Sequence, residues 1–563
     1  MMASSAENHE QSLKQVEKST TNSDDAIAEF IGEVGKWQLQ NIAVIFFLTL
    51  PGLVVIFSVP FVFYKTDYWC ENEILDLDTN FTIPEDIRNM IHPGETTKHE
   101  ANIDTSCLVK CDTYEYDKSF WKESVIMTWD LVCEKQHLEL LAKMAIFVGL
   151  AVGTFGAGWI SDTYGRKTAI LLMSQLLFGS GILASTMSRF MGFVILWFVT
   201  GIAAIGVYTA CFVWAMESVS GRWKSIVGMI MAFCWPASSL LMAGLGAACR
   251  NWKLILQVAC AVHIATPILI NLVPESPRWL LASKNIERRM EAKHILRKAA
   301  ELNGKVDENI DERLDSLIFS NDGPEMKENK KEIKFIDIFR HRVLVKRTLV
   351  MYWNWFTLAF IIYGLRLNWQ TLTGNLIINV IIGSFLEIVG RLISIILIIK
   401  IGRRLPFIVL LFGAGASFLI MLAFEKDAYT NNWPIVTCAM FGYFCISSNF
   451  GIIWIYTSEL YPTNSRNAAV GSCSLLARIG GIVSSTVGQL ADVHVSIPPL
   501  LFAFSALFAL ALSFLLPETL NTRLPDTIEE CKLQSISSIE NECLNWPHQL
   551  KRNSKQPRNR ADK

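Results

Sequence analysis

The sequence carries little charge for its length. Of its 563 residues, 18% are Asp, Glu, Lys or Arg, whereas 51% are apolar. A soluble protein of this size needs more charge on its surface, so the composition indicates a membrane protein. Acidic and basic residues nearly balance at a net charge of −1, which removes any overall attraction to nucleic acid. We therefore expect a lipid bilayer as a partner and no nucleic acid.

Cofactor motifs are also missing from the sequence. There is no G-x-x-x-x-G-K-[ST] loop for phosphates and no zinc-type spacing of Cys and His. The apolar runs contain no nucleophile–base pair or metal constellation. We therefore expect no enzyme, no cofactor, no metal and no ATP-driven pump. The first forty residues lack the apolar core and cleavage site of a signal peptide, so the first apolar run is expected to stay as an anchor.

Apolar runs long enough to cross a hydrocarbon core about 30 Å thick recur along the chain. They lie at residues 41–64, 140–160, 168–188, 191–215, 225–248, 252–273, 347–367, 374–400, 405–424, 432–457, 467–490 and 497–516. Six precede and six follow a polar segment, which predicts an all-α membrane protein of twelve transmembrane helices with both termini on one side. The predicted domains are a tail with an interfacial helix (1–40), a six-helix bundle (41–273), a linker with amphipathic helices (274–346), a second bundle (347–516) and a tail (517–563).

The charges of the loops indicate the sides of the membrane. Residues 65–139 hold 7 Lys and Arg against 17 Asp and Glu, a net charge of −10. Basic residues occur in the short connections that alternate with this loop, namely Arg166, Lys167, Arg222, Lys224, Arg403, Arg404 and Arg466. The connections on the same side as the acidic loop contain fewer basic residues, namely Arg189, Arg250, Lys253, Arg366 and Lys426. The positive-inside rule then places both tails and the linker in the cytoplasm. A plasma-membrane location follows as the simplest expectation.

The acidic loop carries two marks of an extracellular segment. It contains four cysteines, an even number that suits an oxidising compartment; they are Cys70, Cys107, Cys111 and Cys133. Three pairings are possible, and the sequence does not choose among them. Asn80 opens an Asn-Phe-Thr triplet that can accept a glycan. The loop is therefore predicted to be extracellular, disulfide-bonded and glycosylated.

Three motifs recur in the two halves in the same order. Gly165-Arg-Lys is echoed by Gly402-Arg-Arg, Met216-Glu-Ser by Ser458-Glu-Leu, and Pro274-Glu-Ser by Pro517-Glu-Thr. Their offsets are 237, 242 and 243 residues. The repetition predicts two pseudo-symmetric six-helix bundles, related by an axis along the membrane normal.

The motifs resemble those of a known family. Gly158-Trp-Ile-Ser-Asp-Thr-Tyr-Gly-Arg-Lys167 is similar to the loop motif of the major facilitator superfamily, although Thr163 stands where a basic residue is common. With PESPRWLL at 274–281, SELYP at 458–462 and the large Cys-bearing loop, the chain resembles the organic cation, organic anion and carnitine transporters. The resemblance implies the major facilitator fold, alternating access and a small organic ion as substrate.

The charged motifs at the cytoplasmic side are predicted to form ion-pair networks that close an inner gate. The predicted gating residues are Asp162, Gly165, Arg166, Lys167, Glu217, Arg222, Arg403, Arg404, Glu459 and Arg466. The ion pairs of such a gate must stabilise the closed state by only a few kcal/mol, so that substrate binding can shift the equilibrium between the closed and open states. Alternatively the basic residues serve only as topology signals, although the two glutamates have no part in the positive-inside rule.

Three charged residues fall inside predicted membrane helices, where charge must face protein or water. Glu387 and Arg391 lie four apart in the eighth helix, so they share a face and can neutralise each other. Arg478 has no acid within its own helix. If it lines the cavity, its guanidinium offers a planar fork of donors to a carboxylate; a partner on another helix is the alternative.

The resemblance bears on the sign of the substrate charge. Anion and carnitine members carry Arg at the position of Arg478, whereas cation members tend to carry an acid, and anion members have a base where Arg391 stands. The usual Pro-Ala of the eighth helix is Val389-Gly390 here. Organic anions or zwitterions such as carnitine-like solutes are favoured. The alternatives are an organic cation transporter with Glu387 as the site anion, and a non-transporting receptor that binds through the cysteine-bearing loop.

Aromatic residues are predicted to line the rest of the substrate site, since flat rings suit planar solutes and can hold an ammonium group. They are Trp235, Trp355, Phe356, Tyr363, Phe450 and Trp454. For each ring alone, packing between helices or against lipid is the competing interpretation. His263 is assigned no role. The exact substrate, the coupling ion and the oligomeric state stay open.

Overall fold

The computed structural model describes eight stretches of the chain. They are residues 23–70, 113–221, 223–306, 309–319, 341–372, 375–425, 428–462 and 465–520. Asn80, Cys107, Cys111 and Arg222 lie outside the described residues, so the glycan, the cysteine pairing and the predicted role of Arg222 stay predictions.

The N-terminal half contains six apolar helical spans and a small sheet. Its elements are α1 (Ser23–Ile31), α2 (Lys36–Phe57), α3 (Val59–Val62), β1 (Tyr68–Cys70), β2 (Tyr114–Tyr116), α4 (Val125–Trp129), α5 (Gln136–Tyr164), α6 (Arg166–Thr186), α7 (Phe190–Glu217), α8 (Trp223–Ala232), α9 (Cys234–Cys249), α10 (Trp252–Ala261) and α11 (Thr266–Leu269). The strands pair antiparallel, with Tyr68 opposite Tyr116. A 3-10 turn (Val262–Ala265) separates α10 from α11.

The linker contributes three helices, and the C-terminal half repeats the six spans. These elements are α12 (Pro277–Leu281), α13 (Ile286–Leu302), α14 (Ile310–Phe319), α15 (Arg342–Leu367), α16 (Trp369–Leu372), α17 (Leu376–Lys400), α18 (Arg404–Met421), α19 (Trp433–Leu460), α20 (Arg466–Ser484), α21 (Val487–Val493) and α22 (Ile497–Ser513). The Ser276 side chain caps α12, and the Asn285 side chain caps α13.

Membrane-length helices dominate the described part of the chain. Ten of its helical segments are long and apolar enough to cross a bilayer, and two shorter apolar helices (Ala468–Ser484 and Ile497–Ser513) complete the set of twelve. A helix satisfies its own backbone hydrogen bonds, which is why apolar runs of this length cross lipid as helices. The predicted all-α architecture of two six-helix halves is confirmed.

Two glycines allow α5 to pack directly on α7. A Cβ added to Gly149 would lie 2.3 Å from the Phe198 carbonyl oxygen, and one on Gly153 would lie 2.4 Å from that of Ile202. A side chain at either position would therefore push the two backbones apart. Gly158 on the same helix has open space around it, so it does not serve close packing of this kind.

The N-terminal helix α1 packs on the linker rather than standing alone. Its apolar residues Ile27, Phe30 and Ile31 are buried against α13 and α14. The Asn303 side chain, after α13, donates to the Ile31 carbonyl oxygen and accepts from the Trp37 backbone N–H at 3.0 Å. The linker helices are thereby attached to the start of α2.

The two halves meet at one end of the molecule. We call the end that carries β1, β2 and α4 the loop end, and the end that carries α12–α14 the linker end. Hydrogen bonds that join the halves among described residues are Ser384 to Ser239 (2.7 Å), Gln489 to the Gln136 carbonyl oxygen (3.2 Å), the Lys65 N–H to Gln370 (3.0 Å), and the Gln370 amide to the Lys65 carbonyl oxygen. All involve the loop-end half of the helices. The structure is therefore closed at the loop end.

Candidate functional site

Two charged clusters occupy equivalent places at the linker end. The N cluster (Asp162, Arg166, Glu217, Glu275) is built on the turn between α5 and α6. Gly165 has a φ of 108°, a conformation that favours glycine, and its missing Cβ would lie 2.4 Å from a Glu275 oxygen. The turn thus brings the Glu275 carboxylate against the first N–H groups of α6.

Within the N cluster, Arg166 forms a bidentate pair with Glu217 at 2.7 and 3.0 Å. It also contacts Asp162 at 3.0 Å, although the Asp162 side chain is 74% exposed. Glu275 accepts from the Arg166 N–H at 3.0 Å and from the Lys167 N–H at 3.1 Å. Burial raises the pKa of Glu275, although backbone N–H groups oppose that rise.

The C cluster (Arg403, Glu459, Glu518) repeats this arrangement in the second half. Gly402 has a φ of 120°. Arg403 contacts Glu459 at 2.8 Å, and Glu518 accepts from the backbone N–H groups of Arg403 and Arg404 at 2.9 and 3.0 Å. Arg403, Glu459 and Glu518 therefore match Arg166, Glu217 and Glu275, as the sequence repeat predicts, whereas the position equivalent to Asp162 is Ile399.

Among the described residues, each ion pair of the two clusters joins residues of the same half. None of these pairs connects the two halves across the predicted gate. Arg466 does not join the C cluster: its Nε and Nη2 atoms are buried without a hydrogen-bond partner in the described part of the chain. Glu275 and Glu518 were not predicted as members. Their signal was present in the sequence, because each follows the proline of a repeated Pro-Glu motif.

The central charges form a buried group in the C-terminal half. Glu387, on α17, is only 4% exposed and accepts a hydrogen bond from Arg391 at 2.7 Å. It is also paired with Arg366 of α15, which is 7% exposed. The Tyr443 hydroxyl donates to Glu387 at 3.2 Å and accepts from the Arg366 Nε at 2.9 Å. The predicted Glu387–Arg391 pair is therefore present, with a second arginine on the same carboxylate.

Sequence reasoning missed Arg366 because it placed this residue among the loop charges outside the membrane. In the structure Arg366 is buried in the last turns of α15, and its guanidinium carbon lies 4.6 Å from the centre of the Phe57 ring in α2. A usable signal was its position inside an unbroken apolar run ending at Leu367.

Arg478 lies half-buried on α20 and points toward the N-terminal half. Its Nε is buried and has no hydrogen-bond partner among the described residues. Arg478 and Arg391 are both close enough to Tyr208 of α7 for a direct electrostatic interaction. Two guanidinium groups of one half thus lie within electrostatic range of the same tyrosine of the other half.

The predicted aromatic residues divide into two groups. Trp235 packs against Tyr208 at 5.4 Å and Phe57 at 5.8 Å between ring centres, next to the central arginines. Tyr363 packs against Phe147 of the other half at 5.1 Å. Phe356, by contrast, stacks on Phe360 of its own helix at 5.8 Å.

Trp355 packs against other rings of its own half, and its place in the substrate site stays a prediction. It is fully buried, because Trp454 and Phe450 cover it at ring-centre distances of 4.7 and 5.8 Å, and its indole N–H donates to Thr457 at 3.0 Å. Trp454 is 43% exposed and is the most exposed ring of this group.

At the loop end, Cys133 is disulfide-bonded, and Cys70 lies in β1. Which cysteines pair stays a prediction. His263 is buried, and its Nε2 has no hydrogen-bond partner in the described ranges.

Comparison with known proteins places these features in a family. A family profile described as sugar (and other) transporter matches residues 109–529. The chain is 31% identical to the organic cation transporter protein of Drosophila melanogaster, over 90% of this chain and 94% of the relative. It is 29% identical to organic anion transporter 3 of Homo sapiens (80% and 82% covered) and 27% identical to organic cation/carnitine transporter 2 of Mus musculus (90% and 93% covered).

The fold also matches a solved transporter. The inward-open conformation of the xylose transporter XylE from E. coli aligns with a TM-score of 0.58 at 15% identity, covering 88% of this chain and 98% of that chain. At this identity the match shows the fold alone. Together with the family profile and the relatives, it establishes that the chain is an integral membrane protein of the organic cation, organic anion and carnitine transporter family, within the major facilitator superfamily.

Proposed function

We propose that the chain transports small organic anions or zwitterions by alternating access, with Arg478 and Arg391 as the groups that bind the substrate's negative charge. The observation that carries the proposal is the unpaired Nε of Arg478, half-buried beside Tyr208. A buried N–H donor without an acceptor is unfavourable, and a carboxylate or sulfonate supplies the missing acceptor. Trp235 and Trp454 offer apolar surface for the rest of the solute.

The charge balance disfavours the organic cation alternative. Glu387 is the acid of the central group, and both of its oxygens already bind arginines. The four side chains Arg366, Glu387, Arg391 and Arg478 carry a summed charge of +2. A quaternary ammonium would therefore meet net repulsion, although relatives of this chain include transporters named for organic cations.

Alternating access is supported by the position of the contacts between the halves. The loop end is closed, whereas the clusters at the linker end bind within their own halves. We propose that the linker end is cytoplasmic and opens and closes as the halves rotate. In the opposite state Arg466 binds across it, and so does the exposed Asp162 after it leaves Arg166. The same assignment places both termini in the cytoplasm and the Cys-bearing loop outside the plasma membrane.

Uptake into cells that express the protein tests the proposal. Labelled glutarate, carnitine and tetraethylammonium serve as an anion, a zwitterion and a cation. Glutarate or carnitine should enter faster than in untransfected cells, and Arg478→Asp should reduce glutarate uptake at least tenfold. Arg478→Lys, which keeps the charge, should retain part of it, and the exposed Arg189→Asp should behave as the unaltered chain.

Two results contradict the proposal. Tetraethylammonium uptake that exceeds glutarate and carnitine uptake favours the cation carrier, and it should then survive Arg478→Asp. Binding of solutes to the loop without uptake of any of them, although the protein reaches the cell surface, favours the receptor.

A further inference from the structure

We propose that Arg366 is a positioning residue that sets how much positive charge Arg391 offers to the substrate, because the two arginines compete for Glu387. The inference deepens the proposed function and rests on it. Arg366 belongs to none of the motifs of the sequence, and its contacts alone suggest this role.

The competition is visible at the two oxygens of the Glu387 carboxylate. Oε1 accepts from Arg391 at 2.7 Å. Oε2 binds the Arg366 guanidinium and also accepts from the Tyr443 hydroxyl at 3.2 Å. One negative charge is shared by two positive charges, so one unit of positive charge in this group is left uncompensated.

The two arginines differ in burial, and this difference determines which of them presents the uncompensated positive charge to the substrate. Arg366 is 7% exposed, and it lies over the rings of Phe57 and Tyr443, at 4.6 and 5.6 Å. Both rings stabilise its charge through cation–π attraction. Arg391 has a more exposed side chain, an Nε without a partner in the described residues, and Tyr208 as a neighbour. The surplus is therefore presented on the side of Arg391, toward the substrate.

Removing Arg366 changes this balance without leaving a buried charge alone. In Arg366→Leu, Glu387 keeps Arg391 and the Tyr443 hydroxyl as partners and neutralises Arg391. The charge offered by the central group then falls from +2 to +1. A unit charge roughly 8–10 Å away, at an effective dielectric constant of about 20–40, changes binding of a monovalent ion by about 4- to 30-fold.

Uptake kinetics of labelled benzoate, a monoanion, and glutarate, a dianion, test this. Arg366→Leu should raise KM for benzoate by about 4- to 30-fold, with a larger rise for glutarate and little change in maximal rate per molecule. Arg366→Leu combined with Glu387→Leu should return KM close to its original value, because Arg391 is charged and unpaired again. Arg366→Lys, which retains the charge, should also stay close to the original KM.

Three outcomes overturn the inference. They are an unchanged KM in Arg366→Leu, a double variant as impaired as the single one, and a fall in maximal rate with KM unaltered, which indicates a merely structural role.

Arg189→Leu, an exposed arginine at the same end, is the control and should leave KM unchanged. Glu387→Gln tests the inference without a change at Arg366. It removes the shared negative charge, so KM for glutarate should fall, and a higher KM contradicts the inference.

The test also separates this inference from the proposed function. If the unaltered chain carries tetraethylammonium and not anions, the proposed function fails. Competition for Glu387 then predicts the opposite shift, a lower KM for tetraethylammonium in Arg366→Leu that the second substitution reverses. If Arg366→Leu changes KM neither for the anions nor for tetraethylammonium, the proposed role of Arg366 is wrong.

Discussion

The guanidinium of Arg366 lies over the ring of Phe57 at 4.6 Å, and this contact joins α15 of one half to α2 of the other. Both residues are buried, so water does not screen the attraction. A desolvated cation–π contact stabilises a structure by up to about 2 kcal/mol. Because the contact crosses the closed loop end, it is lost when the halves separate there.

Phe57→Leu should therefore shift the protein toward the state that is open at the loop end. The expected increase in the open population is about 2- to 30-fold, from a loss of about 0.5–2 kcal/mol. Ser239→Cys places a thiol of nearly native size at this interface, and its labelling rate by a membrane-impermeant thiol reagent reports the open state. Phe57→Tyr, which keeps the ring, is the control. Equal labelling rates in all three chains would contradict the expectation.

Gly402→Ala should destabilise the protein, because the residue has a φ of 120° and its Cβ would lie 2.8 Å from a Glu518 oxygen. Strain of this kind costs on the order of 1–3 kcal/mol. The melting temperature of the detergent-purified protein should fall by a few degrees. Gly158→Ala is the matched control, since its Cβ enters open space and alanine favours a helix. A similar fall in both variants would indicate a different cause.

The pairing in the C cluster predicts the effect of a charge swap. Arg403→Glu puts two like charges where Arg403 and Glu459 now lie 2.8 Å apart, and the initial uptake rate per surface molecule should fall at least tenfold. Adding Glu459→Arg restores an opposite pair, so the double variant should recover part of the rate. If the double variant is slower than the single one, the pair is not what the rate depends on.

The loop end contains an ion pair whose strength should depend on pH. Partial burial alone raises the pKa of Glu123, but hydrogen bonds from Lys253 at 2.5 Å and Asn251 at 3.0 Å outweigh it, and the pKa is lowered overall. A carboxyl group with a lowered pKa in the folded state stabilises it above the ordinary pKa, and loses this effect as pH falls through the folded-state value.

Glu123→Gln should therefore lower the melting temperature at pH 7 by about 1–2 °C, as expected for a partly exposed pair. The difference from the unaltered protein should shrink as the pH is lowered below about 4. Lys253→Gln should give the same pattern. A difference that is constant over this pH range would show that lost packing, and not charge, is responsible.

The helices and the clusters were predictable to different degrees. Each membrane helix is set by its own apolar run, and the repeated motifs mark equivalent turns, so the two halves follow from local sequence. Arg366 could not be placed in this way, because its burial depends on Glu387 and Tyr443, which lie 21 and 77 residues away in the chain. The burial of Trp355 could not be predicted for the same reason: only the packing of α19 on α15 shows which rings cover it.

The packing of α1 on the linker helices has a mechanical consequence. Asn303 and the apolar face of α1 attach α13 to the first turn of α2, so we expect the linker helices to move together with the first bundle. A pair of spectroscopic probes on α13 and α6 should therefore report one constant separation throughout a transport cycle. The same probe on α13, paired with one on α18, should report two.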